Sequence, residues 1–419
     1  MADFLDYVIR NSVEYKSEIF GPLGQRPGCS RSEYPKMIAR KLKIAQIAPL
    51  AERVPPEKYG GTERVVYALS EELVRKGHDV TLFASGDSKT SAKLVSVYPR
   101  SLREAKIPDP YGTNEMTMLN IGLAYLRQSE FDIIHDHCGH LSLPTANLSN
   151  RPVVMTMHGP FTLFNRGLFE QLNKVKIVTI SRSQANSAPS INHLGTIYHG
   201  LDMASYPFGK KDNGYLLFVG RISMEKGVHL AIEVAQYLNL PLIIAAKLDS
   251  IDLPYFNQYV GPKLSDDLIK WVGEVDERER NKLMSKALCF LHPVTWEEPF
   301  GLTMIEAMAC GCGVIGFNKG SVSEIVANGR TGFVVDDVGE MIEAVKNISM
   351  IKREECRKHA LSNFNAKRMA DDYEEVYYKV LEEDNLKAAK VAAGFDDTVF
   401  TSQPVFLQSP GQQRFNIES

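Results

Sequence analysis

No apolar run in the 419-residue chain approaches the length of a membrane span. The first residues, MADFLDYVIRNSVEYKSE, break their apolar positions with charge where a secretory signal needs a continuous core. A cytoplasmic location is the expectation. An excess of one charge is also missing. Lys and Arg number 48 against 51 Asp and Glu, a formal net charge of -3, which leaves no electrostatic footprint for nucleic acid. Cysteine is sparse: Cys29, Cys138, Cys289, Cys310, Cys312 and Cys356 are scattered and form no disulfide framework. Cys310 and Cys312, among Ala, Gly and Val, read as small buried hydrophobes rather than metal or redox groups. The full glycine fingerprint of a dinucleotide site is absent, so NAD binding is not supported.

The length accommodates two ordinary domains. Residues 1–40 carry no sustained period and read as an N-terminal extension of uncertain structure. From KIAQIAPL the chain alternates strand, glycine loop, helix and strand, continuing through DVTLFAS, FDIIHDH, RPVVMTMHG and KIVTIS. This implies a mostly parallel, doubly wound α/β sheet over 41–205. After the Gly/Pro-punctuated HGLDMASYPFGKKDNG the pattern restarts with YLLFVGR and runs through LPLIIAA, IKWVGEV, a helix over 277–288, LCFLHPV and GVIGF, giving a second domain over 206–370. Two such Rossmann-like domains face each other across a cleft and bind ligands beyond the carboxyl ends of their strands. Met369, Tyr373, Val376 and Val380 recur at helical spacing. Residues 371–384 are therefore expected to form a terminal helix, and 385–419 a flexible tail.

EEPFGLTMIEAMACGCGVIG, residues 297–316, is the densest chemical signal. Pro299 and Gly301 keep the helix from starting before about Leu302, which leaves the N–H groups of Phe300 to Thr303 without intrahelical partners at a positive dipole end. Such an end attracts phosphate. Glu298 in the loop and Glu306 in the helix flank that pocket, where carboxylates can accept from ribose and sugar hydroxyls. In LLFVGRISMEKG, Arg221 follows a strand and Lys226 precedes a helix starting around Gly227, so both cations are expected in the cleft. There they can stabilise charge growing on a leaving diphosphate. Metal-dependent sugar transfer commonly uses two aspartates separated by one residue, and the chain has no such pair. Gly61 in GGTERVV permits close backbone approach to a phosphate or sugar. His158, at the end of VVMTMHGP, can meet a sugar hydroxyl or polarise the reacting centre, although a lone histidine is more often structural. The cluster HDHCGH, from His135 to His140, invites a zinc reading but has no obvious fourth ligand. A cleft-lining role, with His140 near the acceptor, is preferred.

Together KYGGTERVV, MTMHGP, FVGRISMEKG, EEPFGLTMIEAMACGCGVIG, GSVSEIV and NGRTGFVV resemble the family 4 glycosyltransferases of the GT-B fold, over roughly residues 42–383. KIAQIAPLAERVPPEKYGGTERVV is most similar to a bacterial subgroup that includes an avilamycin-pathway transferase. The resemblance implies that Glu306 binds ribose and Glu298 the hydroxyls of the transferred sugar. Arg221 and Lys226 hold the diphosphate, Phe300, Gly301 and Leu302 form the donor-sugar loop, Gly61 belongs to the first-domain glycine loop, and His158 lies near the transferred sugar. It also implies that residues 371–384 cross back to the first domain, and that transfer is metal-independent, needs no cofactor and retains anomeric configuration.

The expected partners are a nucleotide-sugar donor, a UDP-linked hexose first, and an acceptor of unknown identity, whether sugar, lipid or small glycoside. Loops such as 103–118 and 160–172 are expected to select that acceptor. The basic RKLK segment is too short to establish membrane contact. Alternative readings of the same fold are a sugar-nucleotide epimerase, a phosphorylase, or a non-catalytic sugar-nucleotide-binding module.

Overall fold

A computed structural model describes residues 40–107, 111–265 and 267–392. The expected extension (save Arg40) and the tail beyond Ala392 lie outside the described residues. The described residues from Leu42 onward belong to one compact unit.

The apolar runs of the first half pair side by side, the central ones buried on both faces. They are β1 (Lys43–Ile47), β2 (Asp79–Phe83), β3 (Lys93–Val95), β4 (Ile133–Asp136), β5 (Val153–Thr156), β6 (Lys176–Thr179) and β7 (His193–Thr196). All are parallel, in the order β3-β2-β1-β4-β5-β6-β7. Side chains alternate between faces. Ile44 and Ile133 join a core with Val65, Leu69 and Leu73 of helix α1 (Gly61–Arg75). Ala45 and Ile134 face the other way, toward Ile121, Ala124 and Tyr125 of helix α2 (Gly112–Leu126).

The second half repeats the plan with β8 (Leu216–Arg221), β9 (Leu242–Lys247), β10 (Ile269–Gly273), β11 (Cys289–His292), β12 (Gly313–Phe317) and β13 (Gly332–Val335), parallel in the order β10-β9-β8-β11-β12-β13. In both sheets the order reverses beside a central strand, between β1 and β4 and between β8 and β11. Such switch points open a crevice at the carboxyl ends of the strands. Arg221 ends β8, ahead of helix α4 (Val228–Leu238), and His292 ends β11, so both border the second crevice.

Three expectations need correction. The segments 103–118 and 160–172 are not plain loops: α2 occupies much of the first, and helix α3 (Leu163–Gln171) the second. A reciprocal capping box between Thr162 and Asn165 starts α3. The terminal helix, α7, runs over Ala366–Ala392 and so continues past 385. DNLKAAKVAA is rich in strong helix formers, and extending a helix from a packed stem is cheap. Its inner face is Met369, Ala370, Tyr373, Tyr377 and Val380, with Tyr377 fully buried where Val376 is expected. α7 packs on α1, with ion pairs from Lys76 to Asp371 (2.6 Å) and Glu374 (2.8 Å). Among the described residues no helix is long and apolar enough to cross a membrane. Cys310 and Cys312 are fully buried with free thiols.

Candidate active site

Two helix starts meet in the cleft. α6 (Leu302–Ala309) begins after Gly301, whose φ of 75° favours glycine and where an added Cβ would lie 2.6 Å from Met304 Cε, so that the end of that side chain would have to move. Gly61 opens α1 on the opposite wall, where an added Cβ would sit 3.2 Å from Leu302 Cδ1. Thus the first-turn N–H groups of two helices, short of intrahelical partners, border one cavity of about 580 Å3. The loop before α6 is pinned from behind by GSVSEIV. Gly320 N–H donates to Glu297 Oε2 at 2.7 Å, Ser321 N–H to Glu298 O at 2.9 Å, and Ser321 Oγ to Phe300 O at 2.8 Å.

Several charged side chains in this cavity are paired. Lys226 Nζ donates to Glu298 Oε2 at 2.5 Å and lies 4.8 Å from the centre of the Trp296 ring, while Trp296 Nε1 donates to the same oxygen at 3.0 Å. Burial would raise the Glu298 carboxyl, but Lys226, with His292, outweighs it and holds the group below its ordinary range. The His292 imidazole is pushed down to about 4, chiefly by burial. Arg221 bonds Glu225 and lies 3.4 Å from Asp252 Oδ2. Glu306, on α6, is 1% exposed, and its Oε1 accepts from Arg64 Nη1 at 2.7 Å, Arg280 Nη2 at 2.9 Å and Tyr206 Oη at 3.0 Å. Arg280 belongs to helix α5 (Glu277–Lys286).

The structure therefore brings Gly61, His158, Arg221, Lys226, Glu298, Phe300, Gly301, Leu302 and Glu306 to one cleft. His158 arrives with both ring nitrogens occupied. His137 Nε2 lies 2.7 Å from Gln46 Oε1, an acceptor only, so that nitrogen carries the proton in the neutral ring. His137 Nδ1 then accepts from His158 Nε2 at 2.9 Å, and His158 Nδ1 accepts from His199 Nε2 at 3.3 Å. The sugar contact through a ring nitrogen of His158 expected from the sequence would exchange one of these bonds for a hydroxyl.

The remaining histidines also depart from expectation. His135 and His137 do not line the cleft. Strand alternation persists through both, so their rings share one face 4.0 Å apart and are buried. His135 bonds Tyr377 Oη at 2.6 Å and Thr156 Oγ1 at 2.7 Å. His140 is exposed and outside the cleft lining. Among the described residues no three His, Cys, Asp or Glu side chains are grouped to hold a metal ion.

Sequence reasoning missed Arg64, Tyr206, Arg280, Trp296, His199 and Gln46. Two of these carried a signal. Arg64 lies three residues after Gly61, on the same side of α1, and His199 precedes a glycine at a strand end, as His158 does.

Two Rossmann-like sheets, with paired helix starts and basic and acidic side chains at their facing switch points, define a two-lobed nucleotide-sugar fold of the GT-B type. Residues 59–204 match the Glycosyltransferase Family 4 model and residues 205–368 the model for Glycosyl transferases group 1, so that one or the other covers 59–368 without a gap. The chain belongs to the family 4 glycosyltransferases. It is similar to a glycogen synthase of Mycobacterium tuberculosis, 26% identical over 383 residues covering 77% of this chain and 92% of that protein. The structure of AviGT4, a glycosyltransferase involved in avilamycin A biosynthesis, is similar with a TM-score of 0.63 and 24% identity, covering 82% of this chain and 98% of that one. Anabaena HepE in complex with UDP-glucose has a TM-score of 0.62 at 17% identity, covering 81% and 100%. These two structures show the shared fold.

Proposed function

We propose that the protein transfers a hexose from a UDP-linked donor to an acceptor hydroxyl, with retention of anomeric configuration and without a metal ion. The observation that carries the reading is the Lys226–Glu298 pair, 2.5 Å apart at the start of α6. It puts a fixed cation beside a carboxylate kept ionised, where a diphosphate and its sugar would meet. In the step, the bond from the anomeric carbon to the β-phosphate oxygen breaks and the acceptor oxygen bonds that carbon from the same face. The acceptor proton passes to the departing diphosphate. Lys226, Arg221 and the free N–H groups of α6 stabilise the charge that collects there. Oε2 of Glu298 is held by Lys226 and Trp296, which orients the carboxylate toward sugar hydroxyls. HepE was crystallised with UDP-glucose, which supports uracil as the base.

The test is a panel of nucleotide sugars, assayed for diphosphate release against sugars, lipids and small glycosides, with and without EDTA. Acceptor-dependent release of UDP, unaffected by EDTA, with an anomeric proton coupling in the product that matches the donor, is expected. Products that keep the nucleotide, or that require inorganic phosphate, would identify an epimerase or a phosphorylase instead.

A further inference from the structure

Glu306 is held from both lobes at once. Arg280 comes from the second lobe and Tyr206 from the connection, but Arg64 belongs to α1 of the first lobe. Arg64 is itself fixed: its Nη2 donates to Lys58 O at 2.5 Å, and it is only 8% exposed. Helix geometry explains why it reaches across. Gly61 touches the start of α6 at Leu302, and Arg64 and Glu306 lie one turn further along their helices, at i+3 and i+4, on the same faces. All three donors bind Oε1. A carboxylate has about four lone-pair sites, so Oε2 can take hydroxyl donors without displacing any of them.

We infer that Arg64 is a positioning residue for the donor: from the acceptor-side lobe it fixes the Glu306 carboxylate so that Oε2 meets the ribose hydroxyls of the nucleotide. Donor affinity then depends on the two lobes being closed on each other. The inference rests on the proposed reading of the cleft as a UDP-sugar site. Arg64 touches no reacting atom; it acts through Glu306. Its loss leaves Glu306 paired with Arg280 and Tyr206, so the buried carboxylate keeps partners and the fold survives.

The experiment measures Kd by calorimetry for UDP and for 2′,3′-dideoxy-UDP, which lacks the hydroxyls, in the wild type, Arg64→Met and Arg64→Lys. A charge-assisted contact to ribose gives the wild type a preference of about tenfold or more for UDP. In Arg64→Met the preference falls to about threefold or less, through weaker UDP binding and with unchanged affinity for the dideoxy analogue. Arg64→Lys, which keeps charge but loses the fork, lies between. General loosening of the fold would weaken both ligands equally and leave the ratio intact, and that result overturns the inference. Tighter UDP binding in Arg64→Met also overturns it, because Arg64 would then be competing with the nucleotide. A wild type that binds no UDP removes the donor reading and this inference together, whereas normal UDP binding with an unchanged ratio removes this inference alone.

Discussion

Lys226 carries more than charge. Its ammonium is shared between the Glu298 carboxylate at 2.5 Å and the face of Trp296, so it is held in place before any diphosphate arrives. Lys226→Ala removes the fixed cation and also frees burial to raise the Glu298 carboxyl, the opposite of the direction seen with the lysine present. The expected outcome is a fall in kcat of about a hundred- to a thousandfold with the fold retained but the melting temperature lowered, because buried Glu298 loses its partner, read from UDP release and thermal denaturation. Near-normal turnover would remove Lys226 from the chemistry. Arg221 differs in that Glu225 and Asp252 already share its guanidinium. A diphosphate must therefore compete for it.

Helix α7 is where an element, rather than a residue, shapes the site. It grows out of the second lobe yet packs on α1, and Tyr373 and Tyr377 push their hydroxyls under the first sheet to Thr156 (2.7 Å) and His135 (2.6 Å). Gln46 bridges this layer to the cleft, with Nε2 donating to Tyr377 Oη at 3.2 Å and Oε1 accepting from His137. Tyr377→Phe deletes the hydroxyl both groups use. Leaving buried His135 and Gln46 atoms short of a partner costs about 1–3 kcal/mol, measurable as a shift in urea midpoint without a change in slope. An unshifted midpoint would mean that water replaces the hydroxyl.

What was legible follows the same physics. The central strands and α6 were readable because two-sided burial gives continuous apolar runs and because Pro299 and Gly301 punctuate the helix start. Helix α2 was hidden. Met118, Leu119 and Leu126 are exposed while Asn120 is buried against Ala48 O, so its apolar positions mark no single stripe. The edge strands β3, β7 and β13 are only three or four residues long and partly exposed, which gives no run to detect. Of the site, the chemistry-bearing loop was visible, but contacts separated by hundreds of residues were not. Arg64 and Glu306 are 242 positions apart.

Across the whole molecule, buried neutral histidines dominate the response to acid. They are opposed in part by buried Glu63, whose carboxyl burial pushes up to about 7, so that it binds its proton more readily in the folded state. Burial holds His135, His137 and His199 well below the ordinary value of 6.5, with neighbouring histidines adding to the shift. An unfolded chain protonates these rings near 6.5 while the folded one does not, so the unfolded state binds more protons as pH falls. Their contribution is complete above about 6.5 and is lost below it, by up to about 1.4 kcal/mol per pH unit for each ring. The ionised Glu298, with its carboxyl held below 4.5, fades only at lower pH. Denaturant unfolding between pH 8 and pH 5 is expected to show a plateau and then a steep decline. Constant stability across that range would mean that the rings are hydrated. The link between α7 and the first sheet has a consequence for how the protein is made. On the ribosome His135 emerges 242 residues ahead of Tyr377, and Thr156 emerges 217 ahead of Tyr373. A message cut short ahead of Tyr373 thus yields a chain whose defect lies far upstream, in an early lobe left with bare polar groups for quality control to find.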